Sequence, residues 1–373
     1  MSANFSENIE NMLNSHGYTS NGYKTAHSKE SNHIVTPGSP RLLRVERESR
    51  QELFLTKFAT RAIGSGNRLR VEEADPYRTC FEKDLDKIKH ASSFRRLAGK
   101  CQVFLNPNND MIRTRLTHSI EVAQIAKSVS NYLGANSDLV EAIALAHDCG
   151  HGPGGHASED AFSSFLPEGF DHAVWGAEVA LTNLNLCIET LDGVRNHSWK
   201  RPTTSTPEAS IVSWADRIAY VCHDFNDARN EGLVSDSELE ELFTTIGFTQ
   251  SEQIDFFINA LVRGSLSSGY ISMKSSEAEM LETFRDFNYR NIYLSPKSMS
   301  NYNKIVKMLS SLVDFYAENP SKILEINKGI TEEAKDEVFN SVKFIASMTD
   351  RFAIKLAIEN LGFPESELPK IIY

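Results

Sequence analysis

The chain has 373 residues, 40% of them hydrophobic and 24% charged, and a formal net charge of −11. That is the make-up of a globular protein with one large domain or two smaller ones, and no run approaches the roughly 18 apolar residues of a membrane span. The acidic balance argues against generic nucleic-acid binding as the main role, while leaving room for a local basic pocket that takes a phosphorylated small molecule.

The first 40 residues are rich in Ser, Asn, His and Gly and lack the apolar core of a signal peptide. Residues 1–44 are expected to form a polar N-terminal tail, and residues 45–373 the folded body. The five cysteines (80, 101, 149, 187 and 222) form no CxxC pair, and their count is odd. Scattered reduced thiols in a cytoplasmic protein are the expectation.

From about residue 45, charged and apolar residues alternate at helical spacing. "LTHSIEVAQIAKSVSNYL" puts Leu116, Ile120, Ala123 and Ala126 on one stripe, widened by Val122, Val129 and Leu133. "SDLVEAIALAHD" predicts a helix with Ser137 or Asp138 at its cap and Gly150 just past its end. "TPEASIVSWADRIAYVCHDFNDARNEG" predicts another, capped by Thr206, with Pro207 at the first helical position and Gly232 at its end. "NKIVKMLSSLVDFYAEN" and "DEVFNSVKFIASMTDRFAIKLAIENL" are helical too, and no internal repeat is found. The expected fold is mostly α, with one main catalytic domain and helical extensions.

The chemistry concentrates in "AHDCGHGPGGHASED", residues 146–160, which holds three histidines and three carboxylates among four glycines and a proline. His147 and Asp148 end an apolar helix, where both can converge on an ion that sits off the helix end. A mixed N/O pair suits a borderline or hard divalent metal. Two ligands are too few, and two other helices offer candidates. His118 opens an otherwise apolar helix. Asp216 lies in a helix with Ile211, Val212, Trp214 and Ile218, where burying an unpartnered carboxylate would be costly. Taken alone, a satisfied core histidine and a solvated carboxylate would account for these two. Tyr220 and Asp224 follow Asp216 at +4 and +8, a polar stripe on an apolar helix.

The order H…HD…D is the signature of the HD-domain phosphohydrolases. "DPYRTCFEKDLDKIKHASSFRRLAGKCQVF", "RTRLTHSIEVAQIAKSV" and "EAIALAHDCGHGPGGHASEDAF" closely resemble the deoxynucleoside triphosphate triphosphohydrolases, the dGTPase family. "FATRAIGSGNR" and "MTDRFA" look similar too, so the resemblance spans roughly residues 45–360. It implies an HD-domain helical fold and hydrolysis of a dNTP to a deoxynucleoside and inorganic triphosphate. A metal-activated water would attack the α-phosphorus. The implied ligands are His118, His147, Asp148 and Asp216, holding a divalent ion (Mn, Mg or Fe). A second ion could arrive with the triphosphate.

The same resemblance makes His156 and Glu159 the catalytic histidine and its acidic partner. Their i, i+3 spacing lets the carboxylate orient and charge the imidazole. His151 would face the phosphates, and His172 would be a further pocket histidine. Arg115 and Arg217 would clamp phosphate oxygens. Tyr220 and Asp224 would lie under the sugar, Gln102 would reach its 3′-OH, and Val103 would lie near the base. Arg95, Arg96 and Arg113 are expected on the solvated surface.

Relatives also imply a homo-oligomer, with an allosteric dNTP and single-stranded DNA as further candidate partners, and no membrane. The family's commoner string reads approximately HDLGHPPFGHAGE. This chain departs from it at Cys149, Gly152, Gly154 and Ser158, and Gly154 would remove a bulky side chain near the pocket. Two alternatives stay open: an HD phosphohydrolase of nucleoside monophosphates, and a non-catalytic nucleotide-sensing or single-strand-binding protein. A cyclic-dinucleotide enzyme would need a GYP companion motif, and none is found.

Overall fold

The computed structural model describes residues 9, 18–20, 23–25, 42–105, 109–201, 203–326 and 336–369. The chain divides into two units, Met1–Arg41 and Leu42–Tyr373. In the first, strands β1 (Tyr18–Ser20) and β2 (Tyr23–Thr25) pair antiparallel, with Tyr18 opposite Thr25 and Ser20 opposite Tyr23. The expected polar tail therefore contains a short hairpin, and most of its other residues lie outside the described ones.

The second unit is helical, with sixteen α-helices among the described residues. Twelve of them carry most of the cores and the site. They are α1 (Cys80–His90), α2 (Arg115–Leu133), α3 (Ser137–Ala146), α4 (His156–Ser163), α5 (His172–Trp175) and α6 (Ile188–Asn196). They continue with α7 (Pro207–Asn230), α8 (Gln250–Ser268), α9 (Ser275–Asn288), α10 (Pro296–Glu318), α11 (Glu337–Ala346) and α12 (Asp350–Leu361).

Local chemistry sets where the central helices start. Thr206 caps α7 by accepting from Ala209 N, and Pro207 occupies the first turn, where no N–H is needed. Helix α3 begins one residue earlier than the sequence suggested. Asn136 is its cap and accepts from the amides of both Asp138 and Leu139, so Ser137 already lies inside the helix. On α2 the apolar stripe is as expected except at Ile120, which is 51% exposed. His118, Ser119 and Arg115 are buried on that helix, so its inward face includes polar groups. The long C-terminal helical stretch is broken into α11 and α12. Thr349 is extended, which turns Asp350 inward at the start of α12.

Two cores result. The larger joins α1, α2, α3, α6, α7, α8 and α9 around residues such as Ile125, Ile143, Val212 and Phe225. The smaller joins α4, α10, α11 and α12 around Phe162, Leu309, Tyr316 and Ile345. Buried carboxylates fix the joints. Glu208, at the start of α7, accepts from Thr60 N, Thr60 Oγ1 and Asn136 N at 2.7–3.0 Å. Asp84, on α1, accepts from Arg68, from Cys187 N at 2.9 Å and from Thr190 Oγ1 at 2.7 Å, which anchors the start of α6.

A third joint ties the smaller core to the histidine-rich loop. Lys100 donates to the carbonyls of His151 and Ala346, and Asp350 accepts from Cys101 N and Gly154 N at 2.8 Å each. Lys100 and Asp350 are both buried. Gly154 lies on this seam. Its φ is +75°, and a Cβ there would sit 2.5 Å from Ile305 on α10. A side chain at this position would press on α10, so the glycine admits α10 to the loop. Ser158, another departure, is satisfied locally, donating to Gly155 O and accepting from Gly152 N. No helix among the described residues is long and apolar enough to cross a membrane.

Candidate metal centre

Two helix ends and one helix interior converge. His118 comes from the first turn of α2, His147 and Asp148 from just beyond α3, and Asp216 from the middle of α7. His118, His147 and Asp148 are 1–3% exposed. His118 Nε2 lies 3.0 Å from Asp216 Oδ1. His147 Nε2 lies 3.4 Å from Asp148 Oδ1 and 3.7 Å from Asp216 Oδ1. The sequence-predicted ligands are therefore brought together. His118 is buried, and the partly exposed Asp216 is in direct contact with it.

The tautomer of His147 is set by its surroundings. Its Nδ1 is 2.6 Å from Ala144 O, which can only accept, so Nδ1 carries the proton and Nε2 the lone pair. That Nε2 is buried with no hydrogen-bond partner among the described residues, as is His118 Nδ1. A buried orphan lone pair facing two carboxylates is what a metal ligand looks like without its ion. The imidazole and carboxylate donors fit a borderline or hard divalent metal.

The electrostatics agree. Burial alone would raise Asp148, but His147, Arg115 and His151 outweigh it and hold the carboxyl well below its ordinary range. Burial is likewise outweighed at Asp216 by the bond from His118 and by His147, so that group stays ionised. Burial pushes His118 down, and the Asp216 bond lifts it above its usual value. Two carboxylates charged at neutral pH are ready to bind a cation.

A second group stands beside the first. Glu159 Oε1 lies 3.0 Å from His156 Nδ1 and 2.6 Å from His172 Nδ1. His172 is stacked on His151, with ring centres 3.7 Å apart and planes 12° off parallel. Burial, then Arg115 and His172, push His151 well below the usual histidine range, so it is neutral. Its Nε2 lies 3.3 Å from Asp148 Oδ1. His156 is the solvent-facing member, 67% exposed in its side chain. Burial favours a neutral Glu159, but the bonds from His156 and His172 prevail and keep it ionised.

The expected substrate groups are more dispersed. Arg115 is buried and donates to Asp148 Oδ2 at 2.8 Å, inside the site. Arg217 instead lies flat over Trp199, 3.4 Å from the ring centre, with its Nε unpartnered. Tyr220 packs partly buried against the larger core. Asp224 is 3% exposed and accepts from the Tyr293 hydroxyl at 2.6 Å, and burial pushes its carboxyl up to about 7. Gln102 has a buried Oε1 without a partner among the described residues, and Val103 packs against the small cluster of Phe104, Ile112, Ala228 and Ile292.

Two of the three arginines expected on the surface are corrected. Arg113 is partly buried, paired with Asp227 and with Glu121 at 2.9 Å, because α2 and α7 close over it. Arg96 has a buried, unpartnered Nε. Arg95 is exposed.

Three contributors escaped the sequence. Lys100, Tyr293 and His197 are all buried or half-buried at the site's edge. His197 is 2% exposed, 4.9 Å from His147 between ring centres, and within ligand distance of Asp216. Nothing around "VRNHSWK" marks it, since only the end of α6 meeting the end of α3 brings it in.

Residues 115–221 match the HD domain, and residues 271–359 match the phosphohydrolase-associated domain. The chain is thus a hydrolase of the HD superfamily, with a fold and a His/Asp centre that suit the divalent metal this domain implies. It is 35% identical to a deoxyguanosinetriphosphate triphosphohydrolase-like protein of Caldanaerobacter subterraneus subsp. tengcongensis, over 83% of this chain and 93% of that one. A namesake from Desulfatibacillum aliphaticivorans is 35% identical over 84% and 96% of the two chains. One from Clostridium perfringens is 34% identical over 82% and 93%. The chain belongs to the deoxyguanosinetriphosphate triphosphohydrolase-like family.

Proposed function

We propose that the protein hydrolyses a deoxynucleoside triphosphate to the deoxynucleoside and inorganic triphosphate. His118, His147, Asp148 and Asp216 would hold the divalent ion. The observation that carries this assignment is the buried Arg115–Asp148 contact, 2.8 Å long, beside the orphan Nε2 of His147. An anionic phosphate that approaches the ligands there also meets a guanidinium. The names of the family's members point to dGTP as one substrate of the class.

A divalent ion at this centre supplies positive charge that acidifies water and offsets charge on the phosphate. The chain's own residues do the rest. Arg115 binds and orients the α-phosphate, and His151, held neutral against Asp148, offers a hydrogen bond to the phosphates without adding charge. The attacking water gives up a proton to bulk solvent, and its oxygen bonds to the α-phosphorus as the bond from phosphorus to the 5′-oxygen breaks. His156, oriented by Glu159 and open to solvent, gives its proton to the departing 5′-oxygen. Asp224 and Tyr220 lie beneath the sugar, and Gln102 uses its free Oε1 to accept from the 3′-OH. Arg217 reaches the outer phosphates by leaving Trp199.

The test is to incubate manganese-loaded protein with each dNTP, alone and in mixtures, and to identify every product. Deoxynucleoside and triphosphate in equal amounts support the assignment. Release of monophosphate or orthophosphate, turnover of nucleoside monophosphates, or binding without turnover contradicts it. Activation of one dNTP's hydrolysis by another would add an allosteric site.

A further inference from the structure

One carboxylate of the smaller core reaches the two segments that carry Gln102 and His156. Asp350 opens α12, within residues 271–359 that match the phosphohydrolase-associated domain. Its Oδ1 accepts from Gly154 N and its Oδ2 from Cys101 N, at 2.8 Å each. Gly154 stands two residues before His156, and Cys101 stands directly before Gln102. Asp350 is buried, so both bonds are sheltered from water and strengthened by it.

The loop before His156 does little to place itself. Gly154 and Gly155 are both left-handed, with φ of +75° and +63°, and α4 then starts at His156 without a side-chain cap. The Ser158 hydroxyl ties Gly152 to Gly155 inside the loop, which leaves its placement on the body to contacts from outside. Asp350 supplies one at Gly154, and Lys100 supplies another at the His151 carbonyl. The placement matters at once, because a Cβ at Gly155 would lie 2.6 Å from Arg115 Nη2. The segment on the other side is pressed on α12 as well. A Cβ at Gly99 would lie 2.7 Å from Thr349 Cγ2, and that close approach puts Cys101 N against Asp350.

We propose that Asp350 is a positioning residue for the reaction: it holds His156 and Gln102 in one frame, so that the proton donor meets the 5′-oxygen of a sugar whose 3′-OH Gln102 holds. The roles of His156 and Gln102 rest on the proposed function, which this inference deepens. It gives the phosphohydrolase-associated region a part in the chemistry without contact with substrate. Misplacing a reacting group by about 1 Å can cost about 10²-fold in rate. A residue that only held the fold would lower stability and leave the rate of the folded chain unchanged.

The test uses two substitutions in the full chain. Asp350→Asn keeps the shape and turns one acceptor into a donor, so one backbone amide loses its partner. Asp350→Glu keeps the charge and moves it by one methylene. In manganese-loaded protein each should keep its metal content and helical circular dichroism while kcat on a dNTP falls by about 10²-fold. In a His156→Ala background the same substitutions should cost about tenfold less, because the group they position is already gone. A second readout needs no substrate. In metal-free protein with ¹³C-labelled histidine, the His156 ring signal is assigned by its absence from His156→Ala. It should be single in the unaltered chain and split or broadened in both variants. Full kcat in the folded variants overturns the proposal, as does an equal loss in both backgrounds or an unchanged His156 signal. Loss of metal from folded variants overturns it too, since Asp350 would then act on the metal centre. Unfolding of both variants does the same, because the carboxylate would then hold the fold as a whole. A chain that releases no triphosphate sinks the functional proposal, and the ring signal then decides on Asp350 alone.

Discussion

Tyr293 donates its hydroxyl to Asp224 at 2.6 Å, which links the π-helical turn Tyr289–Tyr293 to the polar stripe of α7. That contact fixes the carboxylate that the proposed pose puts under the sugar. Above about pH 7, where Asp224 is ionised, losing a hydrogen bond to this charged group costs roughly 1.5–3 kcal/mol. Asp224→Ala is expected to lower kcat/KM by about one to two orders of magnitude, at about 1.4 kcal/mol per factor of ten. The loss should be alike for all four dNTPs. Tyr293→Phe should act in the same direction but more weakly, since the carboxylate remains. Tyr220→Ala should raise rNTP turnover relative to dNTP. Matched kinetics on dNTP and rNTP pairs check all three, and a base-specific loss in Asp224→Ala would show that the stripe does not lie under the sugar.

His156 shares Glu159 with His172 but is the member that faces solvent. His156→Ala should therefore keep its metal and lose about 10²–10⁴-fold in kcat, the usual contribution of a general acid. Metal analysis beside steady-state kinetics decides. A variant depleted of metal would make His156 a ligand instead.

Gly154 combines a left-handed φ of +75° with the 2.5 Å approach to Ile305. Gly154→Ala should destabilise the fold by at least about 1–2 kcal/mol, the typical cost of a side chain in left-handed backbone. Urea unfolding measures it. Ile305→Ala in the same chain should recover the steric part and leave the backbone part. An unchanged midpoint in Gly154→Ala would mean that the loop is not clamped against α10.

Much of this was legible in the sequence where a local signal carried it. Thr206 and Pro207 announced the start of α7, the order H…HD…D announced the clustering of His118, His147, Asp148 and Asp216, and the spacing of His156 and Glu159 announced their contact. His197 and Tyr293 lacked such a signal. Each is a lone polar residue whose meaning depends on which helix end its own helix meets. The packing role of Gly154 was not legible for a related reason. Its string lies beside the ligands, but its backbone points to α10, which arrives from some 150 residues later in the chain. Arg113 looked solvated because its partner Asp227 lies on another helix.

Lys100 gives the fold a pH dependence of known sign. Burial depresses its ammonium from 10.5 to about 7, with Arg96 adding to the effect. Between about pH 7 and 10.5 the unfolded chain holds the proton and the native chain releases it. Stability therefore rises with pH across that window and is flat below it. Relative to Lys100→Met, the unaltered chain should gain on the order of a few kcal/mol from pH 7 to 10, at about 1.4 kcal/mol per pH step at most. Denaturant titrations of both metal-free proteins at several pH values check the difference. A constant or falling gap would place the Lys100 amine in water.

The central claim is that water attacks the α-phosphorus and the 5′-oxygen leaves. Turnover of a dNTP in ¹⁸O-water by the manganese-loaded chain tests it directly, with mass analysis of both products. One ¹⁸O in the triphosphate and none in the deoxynucleoside is the expected result. Label in the 5′-hydroxyl, or label in orthophosphate or pyrophosphate released beside a nucleotide, would contradict the account.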